Sequence, residues 1–433
     1  IVMKFGGTSV GSAERMKAVA QIVQEKQQPV FLVLSAMSGI TNQLEQLKQL
    51  QSERDWKAYA TAFQGIKNHH QQAAEQLLER PEKALERLQN YWLMLEDGWS
   101  ITPNGIMAMG EQLSTVLFQC LLEEQEVSSR WMDALSFMVL NEEGEPDQER
   151  IKHLLSKQIN GANEQVFVCQ GFICRDHAGG ISNLQRGGSD YSASLIAAAI
   201  QAEACEIWTD IDGFHNNDPR FVSPTKSIAQ LSYAEAAELA YFGAKILHPA
   251  TVWPARQENI PVILKNTMSP ELPGTRIWND GTSSGFKAVA AKDGITAISI
   301  RSARMLMAYG FLSKVFAVFE RYKTAIDVIT TSEVAVSMTI DRTEQLQGIV
   351  QELEALGEVS VTQNLSIVCV VGHNIGKEKG LAAPLFEALQ DIPIRMISFG
   401  GSDHNISVLI EEEHKKACLN RLNQHLFFPN HEA

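Results

Sequence analysis

The chain has 433 residues and a formal net charge of −14, from 37 basic and 51 acidic residues. Its composition is that of a soluble globular protein, and at roughly 100–200 residues per domain its length predicts two to four domains. The negative charge argues against nucleic acid or an anionic membrane as a partner. No apolar run is long enough to span a membrane, Lys4 interrupts any amino-terminal signal segment, and the six cysteines lack metal-binding spacing, so we expect a cytoplasmic protein.

Residues 1–285 alternate short apolar runs with amphipathic segments, the pattern of a sheet with helices on both faces. Ser12–Gln27 is predicted to be a helix capped by Ser12, because its apolar residues recur at three- and four-residue spacing. Residues 52–99 are predicted to form two or three helices broken near Pro81. Strands are predicted at Ile1–Phe5, Pro29–Ser35, Gln165–Phe172, Cys205–Asp210 and Pro261–Asn266. We therefore predict an α/β domain over residues 1–285.

Beyond the turn-rich residues 269–285, one plan occurs twice. Residues 286–362 and 363–433 each follow the β-α-β-β-α order of a ferredoxin-like unit. The first unit has a candidate closing strand at Glu358–Thr362, but the second has only Phe427–Pro429 left after its last helix. We therefore hypothesise that the two units interlock, with the second sheet completed by another part of the chain.

Lys4 and the pair Gly6–Gly7 lie between the first predicted strand and the first helix. Glycines leave backbone N–H groups uncovered at a helix start, where the helix dipole attracts anions, and a nearby lysine can neutralise a phosphate. A tight turn with an exposed lysine explains the spacing equally well, since the Walker pattern is absent.

Arg186 and the pair Gly187–Gly188 repeat this arrangement before a later predicted helix. Arginine presents a planar fork suited to a carboxylate, and Asp190 can hold a lysine in place. A surface turn with Ser189 or Asp190 as the helix cap is the alternative, and it is compatible with binding.

The polar loop Thr209–Arg220 follows a predicted strand, at the end where open α/β sheets bind ligands. Its composition alone favours an ordinary loop, and its aspartates lack EF-hand spacing. Lys245 is either a phosphate contact or a solvated charge. Taken together, two glycine turns and the cations Lys4, Arg186, Arg220 and Lys245 indicate phosphoryl transfer outside the Walker class, with donor and acceptor left open.

In series, these motifs resemble the aspartokinase family of the amino acid kinase superfamily. The similarity covers essentially the whole chain and is greatest to monofunctional, lysine-sensitive members with two ACT domains. It rests on Lys4–Val10, Ser38–Asn42, Arg186–Tyr191, Asp218–Arg220, Gly243–Pro249 and Ile326–Glu333. The resemblance implies an amino-acid-kinase fold, a mainly parallel sheet between helices, followed by two ferredoxin-like βαββαβ ACT domains.

The resemblance also implies transfer of the γ-phosphate of ATP, with Mg²⁺, to the side-chain carboxylate of L-aspartate, an early step of lysine, threonine and methionine synthesis. A carboxylate is already ionised at neutral pH, so catalysis reduces to positioning and charge neutralisation. By resemblance, the catalytic residues are Lys4, Gly6, Gly7 and Asp190. Aspartate is assigned to Thr41, Glu111, Arg186, Gly187, Gly188 and Ser189, and the nucleotide to Thr8, Ser9, Thr209, Asp210, His215, Arg220 and Lys245. Magnesium is expected on phosphate oxygens, without a protein ligand.

Feedback control by an amino acid is implied in the same way, with lysine as the expected effector. Its contacts are expected at Met305, Leu312, Asp327, Thr331, Ser332 and Glu333. Ala308 and Ala325 replace serines that are frequent in lysine-sensitive relatives, and His215 replaces a family tyrosine. Because effectors of this family bind between ACT domains of different subunits, a homodimer or homotetramer is implied.

Two other functions stay open at this stage. One is a kinase of the same superfamily acting on glutamate, N-acetylglutamate or carbamate, against which Arg186–Tyr191 and the ACT pair both count. The other is a catalytically silent amino-acid sensor, which the retained Lys4, Glu111, Arg186 and Asp190 disfavour.

Overall fold

The computed structural model describes residues 1–184, 187–243, 247–279, 285–305 and 309–428, and the chain divides into two compact units. The first comprises Ile1–Phe214, Ala229–Tyr233 and Leu247–Asp280, and the second comprises His215–Ile228, Ala234–Ile246 and Gly281–Ala433. The predicted division at residue 285 differs from this grouping. Two segments of the predicted first domain make their contacts within the second unit instead.

The elements up to residue 278 alternate in type, as the sequence pattern predicts. The strands are β1 (Val2–Phe5), β2 (Val30–Leu34), β3 (Ser129–Met132), β4 (Val166–Gln170), β5 (Ile173–Arg175), β6 (Ile181–Asn183), β7 (Cys205–Thr209), β8 (Gln230–Ser232), β9 (Val262–Asn266) and β10 (Thr275–Trp278). The helices are α1 (Ala13–Gln24), α2 (Ile40–Glu53), α3 (Trp56–Leu77), α4 (Glu82–Glu96), α5 (Pro103–Glu124), α6 (Gln148–Ile159), α7 (Gly188–Ile200), α8 (Tyr233–Tyr241) and α9 (Trp253–Gln257). Short 3₁₀ turns lie at Ala134–Ser136 and Pro249–Val252.

The first unit is built on a sheet with the strand order β3-β4-β2-β1-β7-β9-β10-β8 in the described residues. Pairing is parallel from β3 through β9, and β10 runs antiparallel to β9. The chain leaves β1 toward β2 on one side and later returns to β7 on the other. Open α/β sheets bind ligands beside such a reversal, at the carboxyl ends of the strands.

Helices cover both faces of this sheet because alternate strand residues point to opposite sides. Met3 and Phe5 of β1 join a buried cluster with α1 and α5, whereas α7 packs on the opposite face. The side chain of Ser12 caps α1 by accepting the backbone N–H of Arg15, as predicted. The α5 helix is long and apolar enough to cross a membrane, but its apolar window is wholly buried, as expected of a core helix.

The second unit contains a mixed helix and strand sequence in the ferredoxin-like order. Its strands are β11 (Gly285–Arg301), β12 (Ile329–Thr331), β13 (Ala335–Ile340), β14 (Glu358–His373), β15 (Met396–Phe399) and β16 (Asn405–Glu411). Its helices are α10 (Phe311–Arg321), α11 (Leu346–Leu353), α12 (Ala382–Ala388) and α13 (Lys415–Phe427), with 3₁₀ turns at Ala303–Met305 and Glu412–His414. Within the described ranges these strands form one antiparallel sheet, ordered β12-β13-β11-β14-β16-β15.

Two long strands, β11 and β14, run through both ferredoxin-like units. Residues 295–301 of β11 pair with residues 358–365 of β14, and residues 285–292 pair with residues 367–373. The closing strand predicted at Glu358–Thr362 is therefore wrong as a separate element, because the chain passes through Asn364, at a φ of 59°, without ending the strand. The segment 285–292 supplies an edge to the second unit, next to the part of β14 that pairs with β16.

Candidate active site

The carboxyl ends of β1, β2, β7 and β9 meet at one edge of the first sheet, because these strands are parallel neighbours. Polar or glycine residues follow each of them: Gly6–Gly7, Ser35, Asp210 and Thr267. The backbone N–H of Gly6 donates to the Trp208 carbonyl at 3.4 Å, so the first loop stays bound to the neighbouring strand. The candidate active site lies at this edge.

Lys4 and Asp190 form a short ion pair in this region. Nζ of Lys4 lies 2.7 Å from Oδ1 of Asp190, and the side chains are only 12% and 16% exposed. Lys4 comes from β1 and Asp190 from the first turn of α7, so the pair joins a central strand to the helix on its face. With so little solvent access, the ion pair holds the ammonium in place at the strand end, where its interactions are screened less than in bulk water.

The glycines after β1 allow close backbone contact. A Cβ at Gly7 would lie 2.8 Å from the carbonyl oxygen of Ala36, and a Cβ at Gly6 would lie 3.4 Å from Nζ of Lys4. Residue 7 therefore has no room for a side chain, and any side chain at residue 6 would crowd the ammonium. The loop presents backbone rather than side chains beside Lys4, which suits the close approach of a phosphate.

Glu111 is a buried carboxyl group on α5, only 6% exposed. The backbone N–H of Ala36 donates to its Oε1 at 3.2 Å. Burial raises the pKa of Glu111 to about 8, against the opposing effects of backbone hydrogen bonds and the charge of Lys4. A carboxyl group that burial keeps largely protonated at neutral pH can bind a cation strongly. The positive charge of the cation offsets the cost of burying the ionised carboxylate.

The start of α7 provides a second candidate anion site. Gly187 caps the helix at a φ of 66°, and a Cβ there would lie 2.0 Å from Cγ2 of Thr251. Oγ of Ser189 accepts a hydrogen bond from Oγ of Ser35 at 2.9 Å. Gly188 follows at a φ of 42°, so both glycines have backbone conformations that other residues adopt only with strain. The uncovered helix start is therefore available to a carboxylate or phosphate.

The other residues assigned from the sequence differ in their exposure and hydrogen bonding. Ser9 is buried and shares a 2.7 Å hydrogen bond with Thr267, whereas Thr8 and Thr41 are exposed. Thr209 and Asp210 end β7 and are bonded to each other, from Oγ1 to Oδ1, at 3.1 Å. Arg186 and Lys245 lie outside the described residues. The structure thus brings together Lys4, Gly6, Gly7, Glu111, Ser189 and Asp190.

His215 and Arg220 belong to the second unit. Nδ1 of His215 lies 2.9 Å from Oγ1 of Thr225, and the exposed Arg220 pairs with Asp218 at 2.6 Å. Their loop is fixed to α13 by residues that the sequence analysis did not single out. Asn216 donates to the side chain of Asn423 at 2.9 Å, and Asn217 to the Leu419 carbonyl at 3.1 Å. Two asparagines in a polar loop carry no local signal that identifies such long-range contacts.

The predicted effector residues also lie in the second unit. Asp327 is 2% exposed and accepts hydrogen bonds from the Tyr241 phenol at 2.5 Å and the Lys292 ammonium at 2.9 Å. Lys292 also pairs with Asp341 at 2.9 Å. Burial opposes the charge of Lys292, but the two carboxylates outweigh it and raise its pKa. Tyr241 and Lys292 were missed by the sequence analysis, because their partner is distant in the chain.

The remaining effector candidates divide between a core and a hairpin. Met305 and Leu312 pack against the buried cluster of the first ferredoxin-like unit. Thr331, Ser332 and Glu333 are exposed at the turn between β12 and β13. The side chain of Ser332 accepts the backbone N–H of Ala335 at 3.1 Å, so this residue stabilises the turn.

Comparison with known proteins agrees with both parts of the molecule. Residues 1–266 match the amino acid kinase family, and residues 368–426 match the ACT domain. Lysine-sensitive aspartokinase 3 of Escherichia coli K12 is 35% identical over 99% of this chain and 99% of its own length. Aspartokinase 2 of Arabidopsis thaliana chloroplasts is 34% identical over 98% of this chain and 84% of its own length.

The fold agrees as well. The crystal structure of E. coli aspartokinase III superposes with a TM-score of 0.82 at 35% identity, covering 98% of this chain and 99% of that one. The predicted fold class, an amino-acid-kinase sheet followed by ACT domains, is confirmed. The chain belongs to the amino acid kinase family and, within it, to the aspartokinases, the kinases that use ATP to phosphorylate the side-chain carboxylate of aspartate.

Proposed function

We propose that Lys4 is the group that neutralises the transferred phosphoryl, assisted by the backbone N–H groups of Gly6 and Gly7 and positioned by Asp190. The observation that carries this assignment is the 2.7 Å Lys4–Asp190 pair beside a loop in which residue 7 has no room for a side chain. A side-chain carboxylate oxygen of aspartate forms the new bond to the γ-phosphorus, and the bond to the bridging oxygen of ADP breaks. Because the nucleophile is already ionised, stabilising charge is the main task of the site.

Glu111 binds the ammonium group of aspartate in this proposal. The substrate cation would lower the raised pKa of Glu111 and ionise the carboxyl group as it binds. The start of α7, with Gly187, Gly188 and Ser189, receives the α-carboxylate, and Arg186 is assigned to the same group from its sequence position. Thr41 remains an assignment by resemblance.

The nucleotide is assigned to Thr8, Ser9, Thr209, Asp210, His215, Arg220 and Lys245. Mg²⁺ is assigned to the phosphate oxygens of ATP, because the carboxylate of Asp190 is already paired with Lys4. Hard cations of this kind commonly bind through substrate phosphates and few protein ligands. Bound there, Mg²⁺ would supply further neutralisation of phosphate charge.

Lysine is the effector in our proposal, with its side-chain ammonium bound by Asp327 or Glu333. Crystal structures of E. coli aspartokinase III contain lysine and aspartate in one case, and aspartate and ADP in another. In this chain the buried Asp327 already pairs with the ammonium of Lys292. The pair is direct support for a site that accepts an alkylammonium group, and an incoming lysine would compete with Lys292 for it.

The route from effector to active site runs through α8 in this proposal. Tyr241 joins the last turn of α8 to Asp327, and a Cβ at Gly243 would lie 2.2 Å from the Ala291 carbonyl of β11. Lys245, assigned to the nucleotide, follows two residues later. A lysine that displaces Tyr241 from Asp327 would therefore alter the segment leading to Lys245, and effector and nucleotide would influence each other reciprocally.

We assign the protein to the cytoplasm and to a homodimer or homotetramer joined through the ACT domains. All six cysteines are described, unpaired and buried, which suits a reducing compartment. Large apolar side chains are exposed on the edge strands β12 and β15, among them Ile329 and Phe399. Light scattering across a concentration series tests the oligomer, and a monomer at all concentrations would contradict it.

A hydroxamate-trapping assay tests the whole assignment. Purified protein with Mg-ATP and L-aspartate should form an acyl-phosphate, which hydroxylamine traps as a coloured hydroxamate. Glutamate, N-acetylglutamate and carbamate should give none above background. Acyl-phosphate formation that is unchanged in Lys4→Ala would remove Lys4 from its assigned role.

A further inference from the structure

We propose that Glu235, His373 and His404 form a binding site for one divalent transition-metal ion of the Zn²⁺ class. The three residues lie in the second unit and outside the groups assigned to aspartate, nucleotide or lysine. Two imidazoles and one carboxylate are a donor set that Zn²⁺ uses in proteins, with water completing the coordination.

Three different elements converge on this cluster. Glu235 lies in the first turn of α8, His373 is the last residue of β14, and His404 directly precedes β16. The histidines are brought together by strand pairing, because the backbone N–H of Gly372 donates to the His404 carbonyl at 2.9 Å. Their ring centroids are 5.8 Å apart.

The α8 helix is held over the histidines by a neighbouring contact. Nδ2 of Asn405 donates to Oε2 of Glu238 at 2.6 Å. Glu238 lies one turn after Glu235 on the same side of α8, so this bond fixes Glu235 against the strand ends. The helix that carries Glu235 is therefore anchored to the residue that follows His404.

The distances are close to those of a metal site. One ligand atom from each of the three side chains lies within 4.8 Å of the other two, and Nδ1 of His373 is 3.7 Å from Oε1 of Glu235. Ligands of a tetrahedral zinc ion are separated by about 3.4 Å, given bond lengths of about 2.0–2.1 Å. Small rotations of the imidazole rings would bring the three atoms to that spacing.

Burial leaves two histidine nitrogens of this cluster without hydrogen bonds. Glu235 is fully buried, and Nδ1 of both His373 and His404 is buried without a hydrogen-bond partner in the described part of the chain. Two buried ring nitrogens without partners are costly in a folded protein, and each is a free ligand position for a metal. A metal ion would satisfy both at once.

A second cluster in the same unit provides a matched control. Glu411, Glu413 and His414 also lie within metal-binding distance of one another, but they supply a single imidazole and their side chains are far more accessible than Glu235. Exposed acidic groups of this kind commonly hold no ion. Weak surface binding of Zn²⁺ should therefore depend on His414, and site binding should not.

Calorimetric titration of the untagged, chelator-treated full chain with ZnSO₄ tests the proposal. We expect one tight Zn²⁺ per chain, at least tenfold weaker binding in His373→Asn and in His404→Gln, and unchanged binding in His414→Ala. Co²⁺ should show the intense visible absorption of a tetrahedral site in the wild-type chain and in His414→Ala, and lose it in the other two variants. Circular dichroism identifies any variant that fails to fold, and the remaining histidine variant then decides.

Three results would overturn the proposal: no binding of Zn²⁺ to the wild-type chain, equal binding in the wild-type, His373→Asn and His404→Gln proteins, or loss of binding in His414→Ala alone. The first would mean that Glu235 and the two histidines do not form a Zn²⁺ site. Because the titration contains no ATP or aspartate, its outcome is independent of the kinase assignments.

Discussion

The two sheets hold their functional side chains in different ways. In the parallel sheet of the first unit, Lys4 and Asp190 pair with little solvent access, and glycine turns at strand ends bring backbone close to them. In the antiparallel sheet of the second unit, the candidate effector groups lie on a hairpin and around the Asp327–Lys292 pair, which already neutralises itself. The groups assigned to catalysis are thus held by an ion pair and a glycine turn, whereas those assigned to the effector include an ion pair whose ammonium a bound lysine would replace in our proposal.

The same contrast extends to the segments assigned to ATP. The loop with His215 and Arg220 and the helix leading to Lys245 belong to the second unit by their contacts. Asn216 and Asn217 bond that loop to α13, and Tyr241 bonds α8 to Asp327. His215 and Arg220 thus belong to the second unit, whereas Lys4 and Glu111 belong to the first.

The largest effect should come from dividing the antiparallel sheet. A fragment of residues 363–433 lacks the segment 285–292, which pairs with residues 367–373 in the full chain. A small domain without an edge strand buries too little surface to be stable, so we expect this fragment to be unfolded at 25 °C. A fragment of residues 285–433 should unfold cooperatively in urea, followed by circular dichroism. Equal stability of the two fragments would show that the ferredoxin-like units do not interlock.

Removing the ammonium at the centre of the parallel sheet should nearly abolish turnover. We expect Lys4→Met to lower kcat by about 10³-fold, because a fixed positive group facing the transferred phosphoryl is lost. Lys26→Met is the matched control: Lys26 forms a similar pair with Glu206, at 2.8 Å, in the same unit. The control should keep kcat within about twofold. Similar losses in both variants would mean that Lys4 acts through stability and not through charge at the site.

Structural features could be predicted from the sequence where the residues that form them are close together in the chain. The strands predicted at Ile1–Phe5 and Pro29–Ser35 correspond closely to β1 and β2, because each is a short apolar run next to glycine or polar residues. Lys4 and its glycine turn are adjacent in the chain, so their proximity follows from one strand–turn–helix pattern. The short β8 and β10 were not predicted, since three or four mixed residues carry no periodicity.

In both units, contacts between residues that are distant in the chain could not be predicted from the sequence. Asp293–Gly294 has the composition of a turn, but the structure bends β11 there with a register shift and continues the strand. Tyr241 and Asp327 are separated by 86 residues, so no local pattern connects them. The grouping of residues 215–228 and 234–246 with the ACT domains likewise depends on contacts formed only after folding.

Measurement of the KM for aspartate over a series of pH values tests whether the buried Glu111 binds the substrate ammonium. Glu111→Gln should raise the KM for aspartate by about 10²-fold with a smaller effect on kcat, since the substrate ammonium loses its buried partner. The wild-type KM should fall as the pH rises toward 8, where the free carboxyl group begins to ionise. A pH-independent KM would contradict the assigned role.

The same substitution has a predictable effect on stability. Because the pKa of Glu111 is raised from 4.5 to about 8 in the folded protein, ionisation opposes folding. The free energy of unfolding of the wild-type chain should therefore fall relative to Glu111→Gln between those pH values, by at most about 1.4 kcal/mol per pH unit. Urea titrations at pH 5, 6.5 and 8 measure the difference. A difference between the two proteins that stays constant from pH 5 to pH 8 would contradict the raised pKa of Glu111.

The smallest effect should come from the Lys292–Asp327 pair of the second unit. Lys292→Met removes the ammonium paired with Asp327 and keeps the hydrogen bond from the Tyr241 phenol, so an incoming lysine ammonium no longer has to displace a charge. We expect the concentration of lysine that halves activity to fall by about 5- to 10-fold, with kcat in the absence of lysine nearly unchanged. Lys415→Met, which breaks the Asp293 pair in the same unit, should not change lysine inhibition. If Lys292→Met instead weakens inhibition, Lys292 is part of the effector site. The Lys292–Asp327 pair would then stay intact when lysine binds, as the Lys4–Asp190 pair is proposed to do in the first unit.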